Sequence, residues 1–302
     1  MSKSTPSCKV LVGDVLDRLR DIPSESVNCV MTSPPYWGLR DYGVNGQLGL
    51  EATLEAYIEN LVGVFRELRR VLRNDGVCWL NLGDSYASSP ASGGVSTKDH
   101  QRTPRRGYVR PCGLKPKDLV GIPWRVAFAL QADGWYLRSD VIWQKPNVMP
   151  ENVKDRPTRS HEYVFLLTKS KKYFYDAAAV AEPSTWDGKS GTKNYRPGQG
   201  GKRINAGMNS GGARDTRNRR TVWTITTKPY RGAHFATFPP EIPEICIKAG
   251  CPKGGMVLDP FAGSGTTLMV ARRLGRNSIG IELNPEYAKL AEARIRKDIG
   301  AK

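Results

Sequence analysis

A chain of 302 residues, 39% hydrophobic and 25% charged, is long enough to bury a sizeable core and has the composition of a globular protein. It holds no run of eighteen or more uncharged apolar residues and no apolar stretch in MSKSTPSCKVLVGD, so neither a helical membrane span nor a secretion signal is expected, and the expected location is the cytoplasm. Its 46 Lys and Arg against 29 Asp and Glu leave a net charge of +17, so the expected partner is a polyanion, nucleic acid before a membrane surface.

In chain order, CKVLVGD (8–14) reads as a short buried strand ending at an acid, and Val27 to Met31 as a second. That strand runs straight into Ser33-Pro34-Pro35-Tyr36-Trp37, where two prolines stop regular structure. From Leu54 the apolar positions Ile58, Leu61, Phe65, Leu68 and Leu72 form a helical stripe, which Asn74-Asp75-Gly76 is expected to end. VCWLNLGD (77–84) is the next strand, and a helix between strands implies a parallel sheet. Residues 85–117 turn Ser-, Gly- and Pro-rich with clustered arginines and read as a loop insertion. A helix from Asp118 to Ala132 follows, then strands at Tyr136–Trp143 and Tyr163–Thr168. A second basic, glycine-studded stretch covers 176–222. Neither polar stretch is expected to fold without a partner. The six cysteines contain no C-x-x-C pair, so no zinc or other metal site is expected.

The last part of the chain carries the first chemical motif. In VLDPFAGSGTT (257–267) a strand ends at Asp259, and a turn with Gly263 and Gly265 opens a helix near Thr266. Glycines at such a place let a ligand approach the backbone. A phosphate-binding loop would need a lysine that is absent, and a dinucleotide fingerprint would need a small residue where Leu268 stands. The remaining class is a nucleoside-like ligand without phosphates. Glu282 ends the following strand, NSIGIEL, at the offset where an acid binds ribose hydroxyls. Asn284 and Pro285 then start a helix.

In a doubly wound sheet, ligands lie beyond the carboxyl ends of the strands, and the turn MTSPPYW leaves its strand at that edge. Pro34 and Pro35 stiffen the turn and lack N–H groups, Ser33 adds a hydroxyl and Tyr36 a flat face. These suit a planar ring with an exocyclic amine. The alternative is a Pro-Pro turn with buried aromatics.

With Ser33-Pro34-Pro35-Tyr36 preceding Asp259-Pro260-Phe261-Ala262-Gly263-Ser264-Gly265, the chain resembles S-adenosylmethionine-dependent DNA amino-methyltransferases of the permuted (beta) group. Residues 143–170 resemble the family's target-base segment and HFATFPPEI (234–242) the end of its cofactor pocket. The resemblance implies an α/β, doubly wound, mostly parallel Rossmann-like sheet in circularly permuted motif order, with basic irregular insertions. It divides the chain into a catalytic half at 1–175 with the 85–117 insertion, a target-recognition region at 176–222 and a cofactor half at 223–302. It implies catalytic roles for Ser33, Pro34, Pro35 and Tyr36. For the cofactor it implies Asp14, Thr237, Phe238, Asp259, Pro260, Phe261, Gly263, Ser264, Gly265, Thr266, Thr267 and Glu282. DNA contacts fall to Arg105, Arg106, Arg214, Arg217, Arg219 and Arg220.

In that family a serine at the first motif position goes with cytosine N4, so double-stranded DNA with cytosine N4 as target is the expectation. Adenine N6 is the alternative, and RNA a more distant one. A homodimer and a cognate restriction endonuclease are compatible with the family. His161-Glu162 lacks the second histidine of H-E-x-x-H, so no metalloprotease site follows. Trp143 and Lys145 read equally as base-pocket residues or as packing and surface.

Overall fold

The computed structural model describes residues 6–39, 41–87, 113–184, 215–227 and 238–300. Its strands are β1 (Cys8–Val12), β2 (Val27–Thr32), β3 (Leu72–Leu82), β4 (Tyr136–Gln144), β5 (His161–Thr168), β6 (Glu182–Pro183), β7 (Thr216–Arg217), β8 (Val222–Thr224), β9 (Met256–Asp259) and β10 (Asn277–Glu282). The helices are α1 (Val15–Arg20), α2 (Leu54–Val71), α3 (Ile122–Ala132), α4 (Glu241–Gly250), α5 (Thr266–Arg273) and α6 (Pro285–Gly300). Eight strands form one sheet in the order β1-β10-β9-β2-β3-β5-β4-β8, and β6 pairs with β7 apart from it. Only β5 runs against its two neighbours, so the sheet is mostly parallel. Both ends of the chain contribute to it, since β10 and β9 lie between β1 and β2.

The central strands are buried on both faces, which explains their continuous apolar runs. Alternate residues of β2 and β3 face opposite sides. Val30, Cys78 and Leu80 pack with Leu61, Phe65 and Leu68 of α2. Cys29, Met31, Val77 and Trp79 pack with Ile242, Cys246 and Ile247 of α4 and with Leu268 and Met269 of α5. Removing the fully buried Phe65 side chain would cost about 3–5 kcal/mol. Among the described residues no helix is long and apolar enough to cross a membrane, and no group of three or more His, Cys, Asp or Glu could hold a metal ion.

Three local expectations are corrected. α2 passes into β3 at Leu72 without the expected turn, and Asn74-Asp75-Gly76 lies within β3. Val27 pairs with Leu72 and Cys29 with Val77, so the polar trio is accommodated as a bulge against β2. The helix expected from Asp118 begins only at Ile122, because Leu119 bridges to Tyr86 and Gly121 adopts a left-handed φ of 76°. Finally, the 176–222 stretch is not wholly irregular. Thr216–Arg217 pairs with Glu182–Pro183, and Val222 opens β8 against β4.

Candidate active site

β2 is followed through α2 by β3 on one side, while β9 is followed through α5 by β10 on the other. The β2–β9 boundary is therefore the point where chain direction across the sheet reverses, the usual ligand crevice of such folds. A cleft of about 350 Å³ opens there, lined by the turns after β1, β2, β9 and β10. All of Ser33, Pro34, Pro35 and Tyr36 line it, as do Asp14, Phe238, Pro260, Phe261, Gly263, Ser264, Thr266 and Glu282. Asp259, Gly265 and Thr267 are not among the lining residues. Thr237, Arg105, Arg106 and Arg214 lie outside the described residues.

Asp259 is 2% exposed and spent on the protein itself. Its Oδ1 accepts from Thr32 Oγ1 at 2.8 Å and the Phe261 N–H at 3.1 Å, and its Oδ2 from Thr267 Oγ1 at 2.7 Å. Burial raises this carboxyl to about 6, against the lowering effect of those donors. Glu282 closes the turn from the other side. Its Oε2 accepts the Gly263 N–H at 2.8 Å and its Oε1 the Asn284 N–H at 2.9 Å, and burial pushes its carboxyl up. Asn284 caps α6 by accepting the Glu286 N–H at 2.9 Å.

The glycine turn is tight. Gly265 has a φ of 74°, and a Cβ there would stand 2.9 Å from Cβ of Ala291. Arg294 Nη1 donates to Ser264 Oγ at 2.9 Å and Thr266 Oγ1 at 2.8 Å, fastening the turn to α6. On the cleft side, Asp14 caps α1 through Oδ1, and the Gly13 N–H donates to the Glu282 carbonyl at 3.0 Å. Two acids at adjoining strand ends, with Phe261 and Phe238 beside them, match a ligand that has hydroxyl and ammonium donors and a flat heterocycle. S-adenosylmethionine has this donor set, and the residues present fit it.

The Ser33-Pro34-Pro35-Tyr36 turn is anchored from behind. Trp37 is 1% exposed and donates through Nε1 to the Glu51 carbonyl at 3.0 Å. Tyr57 Oη donates to the Pro35 carbonyl at 2.9 Å, which engages that carbonyl with the core and leaves the Pro34 carbonyl as the turn's candidate acceptor for a ligand. Gly83 lies against the Tyr36 ring, where a Cβ would stand 2.7 Å from Cε2.

On the far wall, sequence reasoning left Trp143 and Lys145 open between base pocket and packing, and it missed Glu162 and Asn81. Glu162 Oε2 accepts from Tyr36 Oη at 2.8 Å and Asn81 Nδ2 at 3.0 Å, and its Oε1 pairs with Lys145 Nζ. Burial first, and the Glu162 charge second, push the Tyr36 phenol well above its ordinary value. Lys145 also lies over the Trp143 ring, 4.4 Å from its centroid, and both line the cleft. The available signal was a polar residue in a buried run near the sheet's ligand edge, Asn81 in VCWLNL and Glu162 before YVFLLT. His161 lies beside it, and burial followed by the charges of Arg159 and Lys145 lowers its pKa.

Three of the expected DNA contacts are described. Arg217 and Arg220 each donate through Nε to Glu182 Oε1, and Arg219 Nε donates to the Val180 carbonyl at 2.9 Å. They therefore stand together around the β6–β7 pair.

Comparison with known proteins identifies the family. The model of a DNA methylase family, N6_N4_Mtase, matches residues 27–293. The Type II methyltransferase M.SmaI of Serratia marcescens is 51% identical over 292 residues, covering 96% of this chain and 91% of that protein. The structure of the PvuII DNA methyltransferase (cytosine-N4-specific) superposes with a TM-score of 0.65 at 20% identity, covering 98% of this chain and 92% of that one. A putative DNA modification methylase from Thermus thermophilus, solved with S-adenosyl-L-methionine, superposes at 0.61 with 24% identity, covering 97% and 95%. The chain belongs to the N6/N4 DNA methylase family and is an S-adenosylmethionine-dependent DNA amino-methyltransferase.

Proposed function

We propose that the chain is a Type II methyltransferase that methylates N4 of a flipped cytosine at a specific site in double-stranded DNA. The observation that carries the base assignment is Ser33, a neutral hydroxyl on the cleft at the head of its turn, the residue type that the resemblance to the permuted group associates with cytosine N4. S-adenosylmethionine supplies an electrophilic methyl on its sulfonium. Glu282 would hold the ribose hydroxyls, Asp14 the adenine amine, and Phe261 with Gly263 the methionine portion. Asp259, Gly265 and Thr267 keep the turn in shape beneath.

Extruding a base costs a few kcal/mol, and stacking on the Tyr36 ring would return roughly 1–3 kcal/mol. The amine nitrogen shares its lone pair with the ring and is a weak nucleophile. Hydrogen bonds from its two protons to Ser33 Oγ and the Pro34 carbonyl would favour a pyramidal nitrogen and aim the lone pair outward. The rate then derives from positioning and electrostatics. We assign DNA contacts to the basic region around 176–222, including Arg217, Arg219 and Arg220. The same reading includes a homodimer and a restriction endonuclease sharing the target site.

The test is nucleoside mass spectrometry of unmethylated DNA incubated with the protein and labelled S-adenosylmethionine. Labelled N4-methylcytosine is expected. Labelled N6-methyladenine would overturn the base assignment and keep the DNA methyltransferase.

A further inference from the structure

Glu162 is the second residue of β5, the one strand of the main sheet that runs against its neighbours. Its reversed direction brings the start of β5 to the edge where β2 and β3 end, so Glu162 reaches the cleft beside Ser33 and Tyr36. The carboxylate side chain is only 17% exposed, and its three described partners, Tyr36, Asn81 and Lys145, are all donors. A charged group this enclosed is retained at a cost, so the bonds it makes identify what it does.

The direction of each bond follows from which atoms carry protons. An ionised carboxylate offers lone pairs only, so Tyr36 must donate its one hydroxyl proton to Glu162. The Tyr36 oxygen then has only lone pairs left for Ser33 Oγ, 3.4 Å away, and Ser33 must donate to it. With its own proton turned to Tyr36, Ser33 presents lone pairs to the cleft. A serine without this constraint could rotate its proton toward the amine nitrogen and compete for the lone pair that has to attack. Asn81 Nδ2, held also by the Tyr163 carbonyl at 3.0 Å, and Lys145 fix the carboxylate so that the chain has one polarity.

We propose that Glu162 is a positioning residue for methyl transfer, acting through the Tyr36 hydroxyl to hold Ser33 as a hydrogen-bond acceptor toward the target amine. The proposal rests on Ser33 being the partner of that amine, and gives Tyr36 a second duty beyond offering a ring for stacking.

The deciding variants are Tyr36→Phe, which keeps the ring and removes only the hydroxyl, and Glu162→Gln, which keeps the shape and removes the charge. Single-turnover methylation is measured alongside the Kd for S-adenosylmethionine, the Kd for DNA, and the fluorescence of 2-aminopurine at the target position as a report of flipping. The rate is read on whichever nucleoside the wild-type protein methylates, so the base assignment does not enter. Losing a bond to a charged group predicts a fall of roughly 10- to 100-fold in the single-turnover rate for both variants, with both Kd values and the flipping signal unchanged. A wild-type rate in Tyr36→Phe while Ser33→Ala is slow would overturn this proposal alone. A wild-type rate in Ser33→Ala would overturn it together with the reading on which it rests. Loss of binding or flipping as large as the loss of rate would make Glu162 a structural residue and equally overturn it. If Glu162→Gln fails to fold by circular dichroism, Tyr36→Phe decides by itself.

Discussion

Thr32 and Asp259, 227 residues apart in sequence, share a buried 2.8 Å hydrogen bond that joins the end of β2 to the end of β9. Thr32 directly precedes the Ser33 turn, and Asp259 directly precedes the glycine turn. Thr267 completes the bridge, donating to Asp259 and lying 3.4 Å from the Met31 carbonyl. The Ser33 turn and the glycine turn are thus braced on one carboxylate.

Thr32→Val keeps the volume and removes the hydroxyl. Asp259 Oδ1 then keeps only the Phe261 N–H as a described donor. A loss of about 1–3 kcal/mol in urea unfolding is expected, with weaker S-adenosylmethionine binding and slower transfer together. Unchanged stability would show that the brace contributes nothing.

The raised Asp259 carboxyl has a consequence for pH. A group whose pKa rises on folding contributes stability that is complete below its unfolded value and lost as pH climbs through the folded one. With the folded carboxyl at about 6, thermal stability should decline as pH rises from roughly 4 through 6, and the raised Glu282 acts in the same direction. In Asp259→Asn that decline should shrink, as melting temperatures across pH 4–8 would reveal.

Gly265→Ala meets two obstacles, a φ of 74° and an approach of 2.9 Å to Ala291 Cβ. The backbone conformation alone costs roughly 1–2 kcal/mol. The combined effect should displace the turn and raise the Kd for S-adenosylmethionine, measured by isothermal titration. Adding Ala291→Gly should recover part of the loss by relieving the contact while leaving φ strained.

Glu282→Gln leaves one oxygen where two backbone N–H groups, of Gly263 and Asn284, each need an acceptor. Cofactor affinity should fall about tenfold or more, while the salt-dependent binding of DNA stays at the wild-type level. Equal losses in both would indicate general unfolding of the sheet edge.

Arg220, with 68% of its side chain exposed, is the most accessible of the described arginines assigned to DNA. If it neutralises a phosphate, Arg220→Ala should weaken binding to all sequences alike and lower the salt slope of log K by about 1. A sequence-selective loss would instead make it a reader of base edges.

Ser33 to Tyr36 and Asp259 to Thr267 were legible because each is a continuous stretch whose local chemistry is its own signature. Prolines stiffen one turn, and glycines admit a ligand at the other. The polyanion partner and the alternation of helix and strand were legible for the same reason, since charge and periodicity are properties of neighbouring residues. The start of β3 was less so: Asn74-Asp75-Gly76 has turn chemistry, yet sheet pairing absorbs it as a bulge because tertiary hydrogen bonds outweigh local preference.

Only the tertiary structure decided how these pieces meet. Placing β9 beside β2 turned Asp259 inward as a brace, whereas its sequence position allowed it to face the cofactor. Tyr57, from α2, singled out the Pro35 carbonyl and spared that of Pro34. Asn81, Lys145 and Glu162 come from β3, the chain just after β4, and β5, and converge only because β5 runs against both neighbours. Nothing local in those residues encodes that meeting. It arises from strand order and direction, which the burial of side chains on both faces of the sheet selects over the whole chain.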